Sequence, residues 1–307
     1  MSASVRMWLS PTAARSDWSS TSSEPIGEHA ATPRIDRVLA SALPPVILLV
    51  AAAAVESLRV PVLVLLGLAF GALVLRARRT GNEPAPRLLA YGACLIVAVN
   101  LAWGGVPLSA FIGVGAACAD RPAPFAALRV VGLLLVLAAL WLVIRLVDAR
   151  PTGTGLGWPS RGWLVASVGA VAVVGAGAAL LGPQLAEPFF GPISPPTADL
   201  RAVVPAIVFA LANATMEEVA YRGALLRWLK PVTGAASALA LQALVFGLAH
   251  GAGSDFTGSP VPVMAATAAA GLVLGAFALR TRSLLLPIAL HIALDIPVFY
   301  GKVCLGT

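Results

Sequence analysis

From Val38 onward the chain is a series of long apolar blocks cut by Arg, Pro and Gly. A hydrocarbon core about 30 Å thick takes roughly 20 helical residues to cross, with about 17–25 usual. On that measure the blocks predict spans at approximately 38–55, 60–75, 88–117, 125–147, 161–182, 201–229, 235–250, 261–280 and 283–300. The third is long for one crossing and carries Gly104, Gly105 and Pro107 in its middle, which predicts a kink, or one crossing plus a re-entrant piece. The expected fold is all-α: a polytopic integral membrane helical bundle of about 8–9 transmembrane helices.

Residues 1–33 read differently, as a Ser-, Thr- and Pro-rich polar tail with no apolar block long enough for a signal peptide. The chain therefore divides into a flexible polar tail (1–33), N-terminal transmembrane helices (34–198) and a C-terminal core (199–301), where the chemistry concentrates.

Composition sharpens this picture. Of 307 residues, 59% are hydrophobic and only 11% charged, with a mean hydropathy of +0.89. Soluble domains run at roughly 45–50% apolar and about 25% charged, so a soluble globule and a disordered chain are both excluded. The net charge of +7 does not point to nucleic acid, because the basic residues gather between spans. Arg76, Arg78, Arg79 and Arg87 follow the second span, and Arg145, Arg150 and Arg161 the fourth. Arg222, Arg227 and Lys230 close the sixth, while Arg280 and Arg282 separate the eighth from the ninth. These twelve share one side with four more in the tail; five, Arg59, Arg121, Arg129, Arg201 and Lys302, fall on the other. The bias predicts a cytoplasmic N-terminus and an outside C-terminus; the expected location is the plasma membrane of a bacterium. Cys94, Cys118 and Cys304 form no even framework and read as packing thiols.

An ionisable group at the centre of a span costs about 2.5–3.5 kcal/mol and marks function by default. The last third holds Glu217, Glu218 and Arg222, then His250, then His291 and Asp295. Residues four apart share a helical face, so Glu218 and Arg222 form an ion pair, while Glu217 points about 100° away beside Asn213 and Tyr221. The same spacing sets Phe246 beside His250 and His291 beside Asp295. At about 1.5 Å rise per residue, Glu217 lies roughly 20 Å from the inner surface, His250 about 22 Å, His291 about 12 Å and Asp295 about 18 Å. A carboxylate and two imidazoles near one level can bind a metal or polarise a water. The residues alone thus point to an intramembrane hydrolase or an ion-binding site.

The series Glu217-Glu218-x-x-x-Arg222, Phe246-x-x-x-His250 and His291-x-x-x-Asp295 resembles the motifs of the CAAX-protease and bacteriocin-processing (CPBP) family of intramembrane proteases, over roughly residues 199–301. The resemblance implies that Glu217 activates the attacking water together with His250. It implies that His291 and residue 295 hold the oxyanion of the tetrahedral intermediate, and that Glu218 and Arg222 are a supporting ion pair. It leaves the cofactor open between a metal-free glutamate mechanism and a metal, with zinc the candidate, held by Glu217, His250, His291 and Asp295. Position 295 departs from the pattern, since prenyl-protein proteases typically carry Asn there. An ionised Asp would repel an oxyanion unless it is protonated, paired with a His291 cation or bound to a metal.

The implied partners are membrane lipid and a peptide or protein substrate at the membrane, with no nucleic acid. Two other readings stand beside the peptidase: a non-catalytic relative of the same fold, such as a bacteriocin-immunity or envelope-scaffold protein, and an ion or proton transporter. The filled acid and imidazole positions weigh against the first. Against the second stand the lack of internal repeats and of charges in the earlier spans. The predicted topology places Asn82 in the cytoplasm and Ser254 outside. Cysteines introduced at the two positions should label with an impermeant reagent in intact cells only at 254; labelling at 82 would reverse the orientation.

Overall fold

In a computed structural model, residues 35–81, 85–105, 122–147, 155, 157–190, 200–251 and 259–299 are described, and among them there is no strand. The tail, Asn82, Ser254, Cys118 and Cys304 lie outside the described residues. The helices are α1 (Ile35–Ala54), α2 (Arg59–Thr80), α3 (Ala85–Gly105), α4 (Pro122–Val147), α5 (Arg161–Phe190) and α6 (Leu200–Glu217). A π-helical segment, Glu218–Leu226, continues α6 without a break into α7 (Arg227–Thr233). Then come α8 (Ala235–Gly251), α9 (Val261–Thr281) and α10 (Leu285–Val298). The all-α bundle is as the apolar blocks predict.

Among the described residues, six helical stretches are long and apolar enough to cross a membrane: Glu56–Thr80, Ala85–Trp103, Ala123–Val147, Arg161–Leu181, Val203–Thr233 and Val261–Thr281. Three of the predicted spans are shorter apolar helices, Ala42–Ala54, Ala235–Gly251 and Leu285–Ile296. The long third block resolves into α3, which ends at Gly105; residues 106–121 lie outside the described ones. Pro44 and Pro45 sit inside α1, a placement a membrane bundle tolerates because neighbouring groups satisfy the freed carbonyls. α2 ends in a left-handed Gly81 (φ 67°) whose N–H donates to the Ala77 carbonyl, with Arg78 and Arg79 in its last turn.

Burial runs opposite to that of a soluble protein. Val165, Val168, Val173 and Leu180 of α5 are exposed, as a lipid-facing helix requires. α3 is central, with Ala90, Ala93, Cys94, Ile96, Val97 and Ala98 wholly buried against α1, α2, α4 and the π segment. Cys94 is a free, buried thiol, in keeping with a packing role.

Helix ends sort as alternating crossings require. The start of α2 meets the end of α8, where Arg59 Nη2 donates to the Ala249 carbonyl at 3.2 Å. At the opposite end of α9 and α10, the Leu284 N–H donates to the Gly155 carbonyl at 2.6 Å and Ser283 Oγ to the Gly157 carbonyl at 2.7 Å. One expectation is corrected here. Arg59 and Arg129, counted from the sequence as loop charges, both belong to helices packed in the bundle, and Arg59 is only 7% exposed. Arg59 lies 4.0 Å from Glu56 and bonds a carbonyl of α8, whereas Arg129 lies within electrostatic reach of carboxylates on α6 and α10.

Small residues set the closest helix approach. A Cβ built on Gly247 of α8 would lie 2.6 Å from the Met264 carbonyl oxygen and 2.8 Å from Ala268 Cβ on α9. Backbone cannot retreat as a side chain can, so Gly247→Ala should cost about 1–3 kcal/mol. Gly169 of α5 has nothing within 4 Å of the same built atom, so Gly169→Ala should be neutral or slightly stabilising. Thermal unfolding in detergent separates the two variants, and equal midpoints would contradict this packing of α8 on α9.

Candidate active site

α6 and the π segment carry Asn213, Glu217 and Glu218 toward α10. In a π-helix the i→i+5 bonds widen the turn, which narrows the 100° step between successive side chains of an α-helix. Glu217 and Glu218 therefore reach one imidazole from two sides. His291 Nδ1 lies 2.9 Å from Glu218 Oε1, while Nε2 lies 3.7 Å from Glu217 Oε2 and 3.6 Å from Asp295 Oδ1. Because a carboxylate only accepts, the short contact fixes a proton on Nδ1. Nε2 faces the gap between two carboxylates at distances too long for a direct hydrogen bond.

Each acid has its own support. Arg222 Nη1 donates to Glu218 Oε1 at 2.9 Å, and both side chains are fully buried. The pair is therefore an interior one and not a solvated helix end. Asn213 Nδ2 donates to Asp295 Oδ2 at 3.0 Å. Glu217 has no comparable anchor: its Oε2 is buried without a hydrogen-bond partner. One carboxylate is thus pinned by Arg222, one is held by an amide, and one is left unanchored.

Phe246 of α8 holds the other side of the site. The Arg222 guanidinium lies over its ring at 4.3 Å, a cation–π contact worth about 2 kcal/mol when desolvated. Tyr221 meets it edge-on at 5.0 Å, and His291 does so at 6.2 Å. His250 packs beside the same ring at 4.5 Å, as the four-residue spacing predicts. The His250 Nδ1 lies 2.8 Å from the Phe246 carbonyl. A carbonyl can only accept, so Nδ1 carries the proton and Nε2 is the nitrogen that can hold a lone pair.

The predicted residues therefore meet unequally. Glu217, Glu218, Arg222, His291 and Asp295 form one connected cluster. His250 makes no hydrogen bond or ion pair with Glu217, His291 or Asp295, and joins them only through Phe246. This arrangement does not fit a zinc held by Glu217, His250, His291 and Asp295. Among the described residues no three His, Cys, Asp or Glu side chains are grouped to hold an ion, and His250 is bonded only to the Phe246 carbonyl.

Two residues were missed as members of the site. Asn213 shares the Glu217 face by its spacing, but its bond to Asp295 on α10 carries no signal in the sequence. Arg129 of α4 lies within electrostatic reach of Glu217 and Asp295; near the start of an apolar block it is indistinguishable from a loop arginine.

Comparison with known families bears on this segment. Residues 199–297 match the family model described as Rce1-like, type II CAAX prenyl endopeptidase. The match upholds the resemblance drawn from the motifs, and it encloses Glu217, Glu218, Arg222, His250, His291 and Asp295 but neither Arg59 nor Arg129. No curated protein and no solved structure matches the chain. The last third of this membrane protein is Rce1-like in sequence.

Arg222 tests the division between support and chemistry. Removing one partner of a buried ion pair costs about 3–5 kcal/mol, because the other charge stays buried and unpaired. Arg222→Ala should lower both the unfolding midpoint in detergent and any turnover, by displacing Glu218 and with it His291. Unchanged stability with turnover abolished would instead give Arg222 a direct part in the reaction.

Proposed function

We propose that the protein is an intramembrane endopeptidase that hydrolyses a peptide bond near the membrane surface. The family likeness supports a protease of the CAAX-endopeptidase kind in a lipid environment. The observation that carries the finer reading is the meeting of Glu217, Glu218 and Asp295 around His291 inside an apolar bundle. Groups that expensive to bury persist where they do chemistry.

In this reading Glu217, the unanchored carboxylate, takes a proton from water as the water oxygen attacks the scissile carbonyl carbon. His250 shares that task through Nε2, whose partner nitrogen is fixed by the Phe246 carbonyl. The oxyanion forms opposite His291, which donates from Nε2 while Glu218 holds Nδ1. Asp295 lies on the same side of the ring, so its repulsion of the oxyanion is offset by pairing with His291 and by the Asn213 amide. Collapse breaks the C–N bond, and Glu217 returns the proton to the leaving nitrogen, giving a carboxylate and an amine. Every step is carried by side chains of the site itself, and none runs through a metal.

The charge bias supports an N-terminus in the cytoplasm. The substrate is a peptide or protein that reaches the bilayer.

Membrane-associated and released peptides of cells carrying wild-type or Glu217→Gln protein give the direct test. Peptides that appear only with wild type are expected, and purified wild-type protein should cleave their precursors with or without a chelator. Identical peptide sets would remove the peptidase reading and favour a non-catalytic member of the fold. Loss of cleavage on chelation, restored by zinc, would overturn the metal-free steps.

A further inference from the structure

Three carboxylates face His291 in the interior. Arg222 bonds Glu218, which leaves Glu217 and Asp295 to share one imidazole. Asn213 gives Asp295 a hydrogen bond but no charge. Two carboxylates beside one ring leave an excess of negative charge, which an apolar interior does not tolerate without a further cation.

A cation from α4 stands by both carboxylates. Arg129 stands two turns inside that helix, partly buried, within electrostatic reach of both Glu217 and Asp295 though in direct ion pair with neither. Aromatic rings fix it there. Its guanidinium carbon lies 5.4 Å from the Phe209 ring centre and 5.9 Å from that of Phe125, and the two rings stack at 5.6 Å. Phe209 is one turn before Asn213 on α6, and Phe299 one turn after Asp295 beyond the end of α10; their ring centres are 5.2 Å apart. α6 and α10 thus meet in two successive layers, the Asn213–Asp295 hydrogen bond and the Phe209–Phe299 contact. Arg129 caps the aromatic layer, a seat suited to a planar, weakly hydrated guanidinium.

We propose that Arg129 is a positioning residue of this site: its guanidinium supplies the positive charge that lets Glu217 and Asp295 face the same imidazole. For turnover this rests on the peptidase reading; for stability it does not. It also extends the site beyond residues 199–297, the Rce1-like segment, to a helix from the first half of the chain.

Thermal unfolding in detergent of wild type, Arg129→Gln, Asp295→Asn and the double variant tests it. Arg129→Gln should lower the midpoint by about 3–8 °C in the wild-type background. With Asp295→Asn the drop should fall below about half of that, because a neutral amide no longer needs the cation and coupled sites are not additive. Arg129→Lys should recover much of the loss. A guanidinium that merely packs on Phe125 and Phe209 predicts the same drop in both backgrounds, and that result overturns the proposal. If Arg129→Gln alone fails to fold, recovery of folded double variant supports the coupling, and failure of both overturns it. The second readout is cleavage of a precursor identified through the Glu217→Gln comparison. Here Arg129→Gln should reduce kcat about 10-fold or more with little change in KM, and less so beside Asp295→Asn. If no peptide distinguishes wild type from Glu217→Gln, the peptidase reading fails while the unfolding cycle still decides on Arg129.

Discussion

A charge inside an apolar bundle must find an opposite charge and a hydrogen bond, and in this protein that requirement is met by the chain Arg222–Glu218–His291. Arg222 and Glu218 are wholly buried at 2.9 Å, and Glu218 reaches His291 at the same distance. Both bonds end on one oxygen, Glu218 Oε1, so one atom ties the π segment to α10. Removing Arg222 or Glu218 leaves its partner's charge buried with nowhere to go. The helices around it follow from this demand. α3 supplies a buried wall of small and branched residues, while α5 turns valines and leucines outward to lipid.

The apolar blocks made the bundle legible because span length is a property of the bilayer and not of the neighbours. Four-residue spacing was equally informative where it concerned one helix. It placed Glu218 with Arg222 and Phe246 with His250, and both pairs touch. It set Asp295 beside His291, although at 3.6 Å the two are held short of a hydrogen bond, with Asn213 taking the other Asp295 oxygen.

Relations between helices were not legible, for identifiable reasons. Depth reckoned from the span ends set Glu217 roughly 8 Å deeper than His291 by helical rise, yet they face each other at 3.7 Å. The error lies in the starting level of α10: Ser283 and Leu284 are buried and tied to Gly157 and Gly155, so the helix begins inside the protein and not at the surface. The π segment was equally hidden, since a widened turn is fixed by what packs on it. Arg129 carries no local signal at all. Its role depends on α4 lying along α6 and on rings contributed by two helices.

Phe246 explains why the two histidines differ. One ring carries the Arg222 guanidinium, takes Tyr221 and His291 on edge and lies against His250. A polar side chain at that position would offer hydrogen bonds and compete for Glu218 or for either imidazole. An aromatic ring stabilises the cation by its quadrupole and presents no donor or acceptor to the acids. It keeps the two imidazoles apart, with His291 bound to Glu218 and His250 bound only to backbone. His291 is consequently a fixed donor whose orientation the carboxylates determine. His250, half-buried with its Nδ1 on a carbonyl, keeps the opposite nitrogen available as a base. In the proposed reaction, two identical side chains take complementary proton roles because one apolar ring stands between them.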